Sequence, residues 1–382
     1  MNKYFILFFI VSATFFSCKK EANKTVGEEI FDKNAPDSLK INQLQYLGSH
    51  NSYRMQMDEK VYDFLVANSG SLPSDYNPLE LDYEHVSLTE QMTKYGVRQL
   101  ELDLFLDYNG GKFSNRRLPE ILGEDGNANV EELNQPGIKI LHIPDVDFNT
   151  HNYTLKSALQ EIKTWSEKYP EHIPVFILLE LSETSIAGSL PGLGFTEVEP
   201  WNNAQALQTL ENEILDVFST TNIITPDDVR GNYATLNEAV LAGNWPTIGE
   251  SRGKVMFLFD KTNIRNTYIQ GHPNLEDRVI FTNSYENESD AAFIKINNPL
   301  TNLNRIKDLS DKGYLIRTRA DEGTWQARNN DYSNWNTALE SGAHLISTDY
   351  YKADDRAGDG TWSGYYVGFN NGLYQINPQT TD

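Results

Sequence analysis

Eight apolar runs with strand character punctuate the chain, at 44 to 49, 98 to 106, 138 to 143, 175 to 181, 254 to 260, 291 to 296, 314 to 319 and 344 to 348. Several are continuous in Val, Ile, Leu and Phe, the pattern of parallel strands buried on both faces. Between them, apolar residues recur at helical spacing over Leu88 to Tyr95, Leu155 to Tyr169, Ala204 to Phe218, Leu303 to Lys312 and Thr337 to Ser341. Strand and helix therefore alternate. The count and the length predict an α/β fold, a distorted TIM-type (β/α)8 barrel, over an open doubly wound sheet. Inserted segments around 54 to 86 and 108 to 136 distort its first units, and no glycine-rich phosphate fingerprint follows the first run.

The amino terminus reads differently. Met1-Asn2-Lys3 and the apolar stretch Tyr4 to Phe16 form an export signal too short to span a bilayer comfortably. Ser17-Cys18 closes it, polar residues begin at once, and Cys18 is the only cysteine, so the layout resembles a bacterial lipoprotein lipobox. A plainly cleaved signal and an uncleaved anchor are the alternatives. The expected organisation is a lipoprotein signal peptide at 1–17 and a flexible tether at 18–41. A single catalytic barrel domain with an aromatic carboxyl-terminal tail then fills 42–382. This predicts an exported, membrane-anchored monomer in the periplasm or on the outer cell surface. With one cysteine, no intrachain disulfide can form, and the fold relies on its core.

Composition supports that core, with 39% apolar and aromatic residues. A formal charge of −22 argues against nucleic acid as a partner, since phosphate-backbone binding needs many Lys and Arg contacts. An anionic substrate must be met by a local cluster or a bound cation.

Polar residues gather where such a cation could sit. His50 and Asn51 end the first run, Glu101 and Asp103 fall late in the second, His142 ends the third and Glu180 nearly ends the fourth. The carboxyl ends of barrel strands form one rim, where reactive groups collect. Glu101 and Asp103 are two apart, so on a strand they share one face. Two buried carboxylates repel unless a cation or proton lies between them. Calcium takes six to eight oxygens, and Asn51, Glu101, Asp103 and Glu180 supply a protein share; magnesium is the competitor. Zinc would want more nitrogen or sulfur, and no H-x-x-x-H spacing occurs. Two histidines for proton transfer beside a hard cation suit phosphodiester cleavage.

The order His-Asn, Glu-x-Asp, His, Glu over the first four runs resembles the calcium-dependent phosphatidylinositol-specific phospholipases C, the bacterial secreted branch of a superfamily of barrel phosphodiesterases. Gly48-Ser49-His50-Asn51-Ser52-Tyr53, Pro170-Glu171-His172-Ile173-Pro174, Ile316-Arg317-Thr318-Arg319-Ala320-Asp321 and Ser347-Thr348-Asp349-Tyr350 carry the resemblance across residues 42 to 352. It implies attack of the inositol 2-hydroxyl on phosphorus, release of diacylglycerol and opening of a cyclic inositol phosphate by water. It makes His50 and His142 the acid and base pair, and Asn51, Glu101, Asp103 and Glu180 the calcium ligands. Arg317 and Arg319 could grip phosphate or a ring hydroxyl by two hydrogen bonds. Lys261 is a single lysine where the polyphosphoinositide enzymes present several, and Ser182 stands where relatives often place a lysine. Plain phosphatidylinositol, or a related glycolipid at a membrane surface, is the expected substrate.

Other polar residues carry blander expectations. His85, His151, His272 and His344 read as structural and His172 as a loop residue. Asp145 and Asp147 read as an acidic turn, and Asp349 as a turn cap. The tail aromatics Trp362, Tyr365, Tyr366, Phe369 and Tyr374 are expected to pack on the barrel rather than bind sugar or membrane. A glycerophosphodiester phosphodiesterase on the same barrel and an inactive surface-binding protein are the alternative functions. The first usually follows its first histidine with Arg, where this chain has Asn51.

Overall fold

The computed structural model describes residues 35–71, 77–370 and 372–380. Ten strands are present: β1 Leu44–Ser49, β2 Gln99–Phe105, β3 Lys139–Ile140, β4 Val175–Leu181, β5 Val255–Phe259, β6 Ile280–Phe281, β7 Phe293–Lys295, β8 Leu315–Arg319, β9 Leu345–Thr348 and β10 Tyr374–Ile376. Eight of them run parallel in the order β6, β5, β4, β2, β1, β9, β8, β7. The last gap is closed by one parallel bridge between Asn283 and Phe293. The Asn283 side chain reinforces that seam: its amide donates to the Asp260 carbonyl at 2.7 Å and its oxygen accepts from Lys295 N at 3.1 Å. The fold is therefore the distorted α/β barrel that the alternating pattern predicts.

Two strands differ from the pattern. The third apolar run does not line the barrel. Its Lys139–Ile140 segment pairs antiparallel with the end of β2, Leu104 opposite Ile140. β2 bonds along one edge to β4 throughout. Along its other edge it meets Gly48 of β1, then Ser52 N at the Glu101 carbonyl, then Leu141 N at the Asp103 carbonyl. β1 turns away early because Asn51 adopts φ +46°, a left-handed conformation that Asn tolerates, and β3 fills the edge it leaves. The missing barrel strand is β6, whose two residues are too few to show a period.

The helices fall where expected. Leu88–Lys94 is capped by Ser87, Leu155–Lys168 opens on a capping box of Thr154 and Ser157, and Ala204–Val217 is capped by Asn203. Their buried faces and the wholly buried β2 and β5 form one continuous core. Gly48 is needed at the β1–β2 crossing, since a Cβ there would collide with the Gln99 side chain.

Residues 35–41, placed in the tether on sequence grounds, pack against the barrel. Ala35 and Ile41 are buried, Lys40 bridges Thr247, and Arg252 holds both the Asp37 carboxylate and the Ala35 carbonyl at 2.8 Å. Residues 1–17, Cys18 and the rest of the expected tether lie outside the described residues. Among the described residues no helix is long and apolar enough to cross a membrane. The tail folds back, β10 pairing antiparallel with the start of β1. Trp362, Tyr365 and Phe369 are buried against Tyr350, Tyr332 and Trp335, while Tyr366 stays 52% exposed.

Candidate active site

The strand ends bring a compact polar group together at the carboxyl rim. β2 and β4 set Asp103 directly opposite Glu180, and Glu101 lies one pleat lower. One oxygen each from Glu101, Glu180 and Asp260 lies within 4.8 Å of the others. Asp260, the residue after β5, joins this group although the sequence reading gives a role only to its neighbour Lys261. The strand-end rule that selected Glu180 selects Asp260 equally well.

The donor set fits a hard cation. Asn51 Oδ1, Glu101 Oε1 and Asp103 Oδ1 are buried without a hydrogen-bond partner, an expensive arrangement for three acceptors unless something positive is shared among them. All the candidate atoms are oxygens, as calcium prefers. Burial pushes the Glu101 carboxyl up to about 7 against the pull of Arg317, and burial with the nearby Glu180 and Glu101 charges raises Asp103 well above its ordinary value. Asp260 goes the other way: burial opposes its charge, but Lys295 and Arg317 hold it below the usual range. Asp103 is not among the three mutually close carboxylates, so its unpartnered oxygen is what keeps it in the candidate ligand set.

Each histidine carries a carboxylate on Nδ1. His50 Nδ1 is 3.0 Å from Asp349 Oδ1, and His142 Nδ1 is 2.7 Å from Asp147 Oδ2. This is a correction for both aspartates, since the sequence reads Asp349 as a turn cap and Asp147 as part of an acidic turn. They are buried, at 6% and 0% exposure, and their negative charge fixes the tautomer that protonates Nδ1. The His50 and His142 side chains keep 17% and 20% exposure, leaving Nε2 as the nitrogen that can face a substrate. His50 Nε2 stands 3.8 Å from Glu101 Oε1. Burial and then the Arg319 guanidinium hold His50 below its ordinary value, so it rests neutral, while Asp349 stays ionised.

A third histidine supports the first. His85 Nε2 bonds the His50 carbonyl at 2.7 Å and Nδ1 meets the Tyr351 hydroxyl at 3.2 Å, so its structural role lies within the site. His344 and His172 bond backbone carbonyls elsewhere, at 2.8 and 2.7 Å.

The three predicted substrate-binding cations are mostly engaged within the protein. Arg317 is fully buried and binds Glu101 Oε2 at 2.6 Å, offering no free fork at the rim. Lys261 sits 3.3 Å from Glu180 Oε1 and donates to the Leu181 carbonyl at 3.1 Å. Arg319 pairs at 3.2 Å with the exposed Glu322 and has its Nε unbonded, which leaves it the most available of the three. Arg317 and Lys261 thus act first as counter-charges for the acidic cluster.

A barrel rim with two Asp–His pairs beside an oxygen-only cation cluster defines a metal-dependent phosphodiesterase. The sequence matches the family model of Ca2+-dependent phosphoinositide phospholipase C over residues 39–378. The chain belongs to that family: it is a phosphoric diester-cleaving enzyme of the phosphatidylinositol-specific phospholipase C type, and calcium is its cofactor. Its fold is shared with the calcium-dependent phosphoinositol-specific phospholipase C of a Gram-negative Pseudomonas sp., solved with myo-inositol. The two are 14% identical with a TM-score of 0.53, covering 91% of this chain and 98% of that one. A Ca2+-dependent phosphatidylinositol-specific phospholipase C from Streptomyces antibioticus is also similar, at 16% identity and a TM-score of 0.47 over 82% of this chain and 96% of that one. No curated protein matches the sequence.

Proposed function

We propose that this enzyme cleaves the glycerol–phosphate bond of phosphatidylinositol, or of a related inositol lipid, by way of a cyclic inositol phosphate. The observation that carries the reading is the pair of Asp–His dyads at one rim, because internal attack needs one proton removed and one delivered. One Nε2 accepts the proton of the inositol 2-hydroxyl as its oxygen bonds to phosphorus. The other imidazolium donates to the departing glycerol oxygen, so diacylglycerol leaves neutral. Water then opens the ring with the two roles exchanged. Asp349 and Asp147 hold each ring by Nδ1 and stabilise the imidazolium when it forms. Calcium, held by Asn51, Glu101, Asp103, Glu180 and Asp260, would supply positive charge to the phosphate oxygens as negative charge builds. Arg319, the least engaged cation, is placed to bind phosphate or a ring hydroxyl.

Lys261 is occupied by Glu180 and Ser182 carries no charge, so nothing here favours additional ring phosphates. Plain phosphatidylinositol therefore fits better than its polyphosphorylated forms. The test is release of water-soluble inositol phosphate from phosphatidylinositol vesicles with calcium and with a chelator. Calcium-dependent appearance of the cyclic phosphate supports the reading; no release from calcium-loaded protein discards the substrate.

The calcium requirement should depend on pH. Because the Glu101 carboxyl lies near 7 without metal and Asp103 is raised as well, calcium must displace protons below about pH 7 and fewer as the pH climbs. Apparent affinity therefore climbs with pH and levels off on the alkaline side. Calorimetry in two buffers of different ionisation enthalpy reads the released proton directly, and a pH-independent affinity would remove Glu101 from the ligand set.

Anchoring completes the reading: residues 1–17 direct export, Cys18 carries the lipid, and the barrel acts as a monomer at a bacterial membrane surface. Cys18→Ser should move the protein from the membrane fraction to the soluble one while its specific activity on micellar lipid persists. Retention in the membrane fraction would discard the lipid anchor.

A further inference from the structure

Arg54 is a charge that the acid, base and calcium roles leave unused. It is fully buried four residues after His50. Its Nε donates to Asp147 Oδ2 at 2.6 Å, the oxygen that also receives His142 Nδ1. Its two terminal nitrogens donate to the backbone carbonyls of Tyr83 and Leu81, and its guanidinium carbon lies 4.3 Å from the Tyr83 ring centroid. Tyr83 in turn faces the other half of the site. Its hydroxyl accepts from Asn51 Nδ2 at 3.0 Å and lies 3.4 Å from His50 Nδ1, the two rings being stacked at 6.3 Å and 24°.

We propose that Arg54 is a positioning residue that couples the two halves of the site, setting His142 through Asp147 and setting Asn51 with His50 through Tyr83. The inference rests on the phospholipase reading of both histidines. A guanidinium is a planar fork, so three bonds and a stacked ring define its plane, which a lysine ammonium could not do. Asp147 is wholly buried and its Oδ1 has no partner, so its charge depends on cations at Oδ2. Burial opposes that charge; Arg54 and His142 together outweigh it and hold the Asp147 carboxyl below its ordinary value. Ionised Asp147 keeps the His142 proton on Nδ1. On the other side, Tyr83 lies clamped under the guanidinium, so its hydroxyl is a fixed point. By holding Asn51 through the amide nitrogen, it leaves the unpartnered Oδ1 for calcium.

A simple staple would stabilise the loops without linking Asp147 to Tyr83 in turnover. No side-chain hydrogen bond joins those two among the described residues, so a coupling that disappears with Arg54 is carried by the guanidinium and not by the direct charge of Asp147 on Tyr83. The experiment is a double-mutant cycle on the full chain, with phosphatidylinositol in detergent micelles at saturating calcium. Asp147→Asn and Tyr83→Phe should each lower kcat about 10- to 100-fold with KM changed less than about threefold. The double variant should lose about tenfold less than the product of the singles. In an Arg54→Met background that shortfall should vanish. Multiplicative losses, or coupling that survives removal of Arg54, would overturn the proposal.

If Arg54→Met does not fold, the cycle between the two shape-conserving variants decides, a plain product being the overturning result. Calcium titration calorimetry gives a reading that needs no substrate. Tyr83→Phe and Arg54→Met should each weaken calcium about tenfold, and together no more than either alone. Unchanged affinity overturns the Tyr83 link. A wild-type protein that ignores phosphatidylinositol would sink the substrate reading instead, leaving the calorimetric result to judge Arg54.

Discussion

His50→Ala and His142→Ala should each reduce turnover of phosphatidylinositol by about 10^2- to 10^4-fold, the range for loss of a positioned acid or base. Calcium affinity and thermal unfolding should stay close to wild type. Both side chains sit at the mouth, partly exposed, so truncation opens no closed cavity. Each removal does leave an aspartate short of its partner. Asp349 still has His85, whose Nε2 lies 3.7 Å from its Oδ1. Asp147 still has Arg54. The same variants can assign the two roles. With an aryl ester of inositol phosphate, whose leaving group needs no proton, the variant lacking the general acid should recover most of its rate, and the variant lacking the base should not. If either single variant keeps most activity on lipid, that histidine leaves the pair.

Glu101→Gln carries the second large effect, on two quantities at once. Calcium affinity should fall at least about 100-fold, since a buried charged ligand is lost from a cluster whose purpose is charge. The fold should also lose about 3 kcal/mol, because the fully buried Arg317 is left without its counter-charge. The two losses separate on adding Arg317→Met. The double variant regains much of the stability, as a buried ion pair replaced by apolar groups is often close to neutral, but it recovers no calcium. Differential scanning calorimetry and calcium titration read the two quantities independently. A Glu101→Gln protein with wild-type calcium affinity would remove Glu101 as a ligand, and one with wild-type stability would show that Arg317 finds another partner.

The order of apolar runs was enough to expect a barrel, and the strand-end rule was enough to pick His50, Asn51, Glu101, Asp103, His142 and Glu180. All but His142 follow from local facts, a period, a run length and a polar residue where a parallel strand stops; His142 ends a run that proves to be an antiparallel edge piece. The departures have physical causes. The run at 138 to 143 is apolar because it is buried, and burial alone does not say whether a segment is a barrel strand or an antiparallel edge piece. β6 is two residues long and owes its place to the Asn283 seam, so no periodicity could reveal it. Asp147 and Asp349 resemble turn residues in sequence: Asp349 becomes a histidine partner because the ends of β1 and β9 meet, and Asp147 because the short loop after His142 turns back on itself.

Arg317 shows the same limit from the other side. Two arginines at the end of a strand look alike in sequence, yet β8 turns Arg317 into the barrel against Glu101 and leaves Arg319 at the rim. What the sequence by itself determined was the alternation of elements, the oxygen-rich rim and the two histidines, because each depends on residue type and on position within a single element. Which carboxylate faces which cation was decided only in the tertiary structure, including the joining of Asp260 to the cluster and the reach of Arg54 to both halves. These are long-range pairings, and charges buried in a low-dielectric interior take their character from whatever the fold sets within a few ångströms of them.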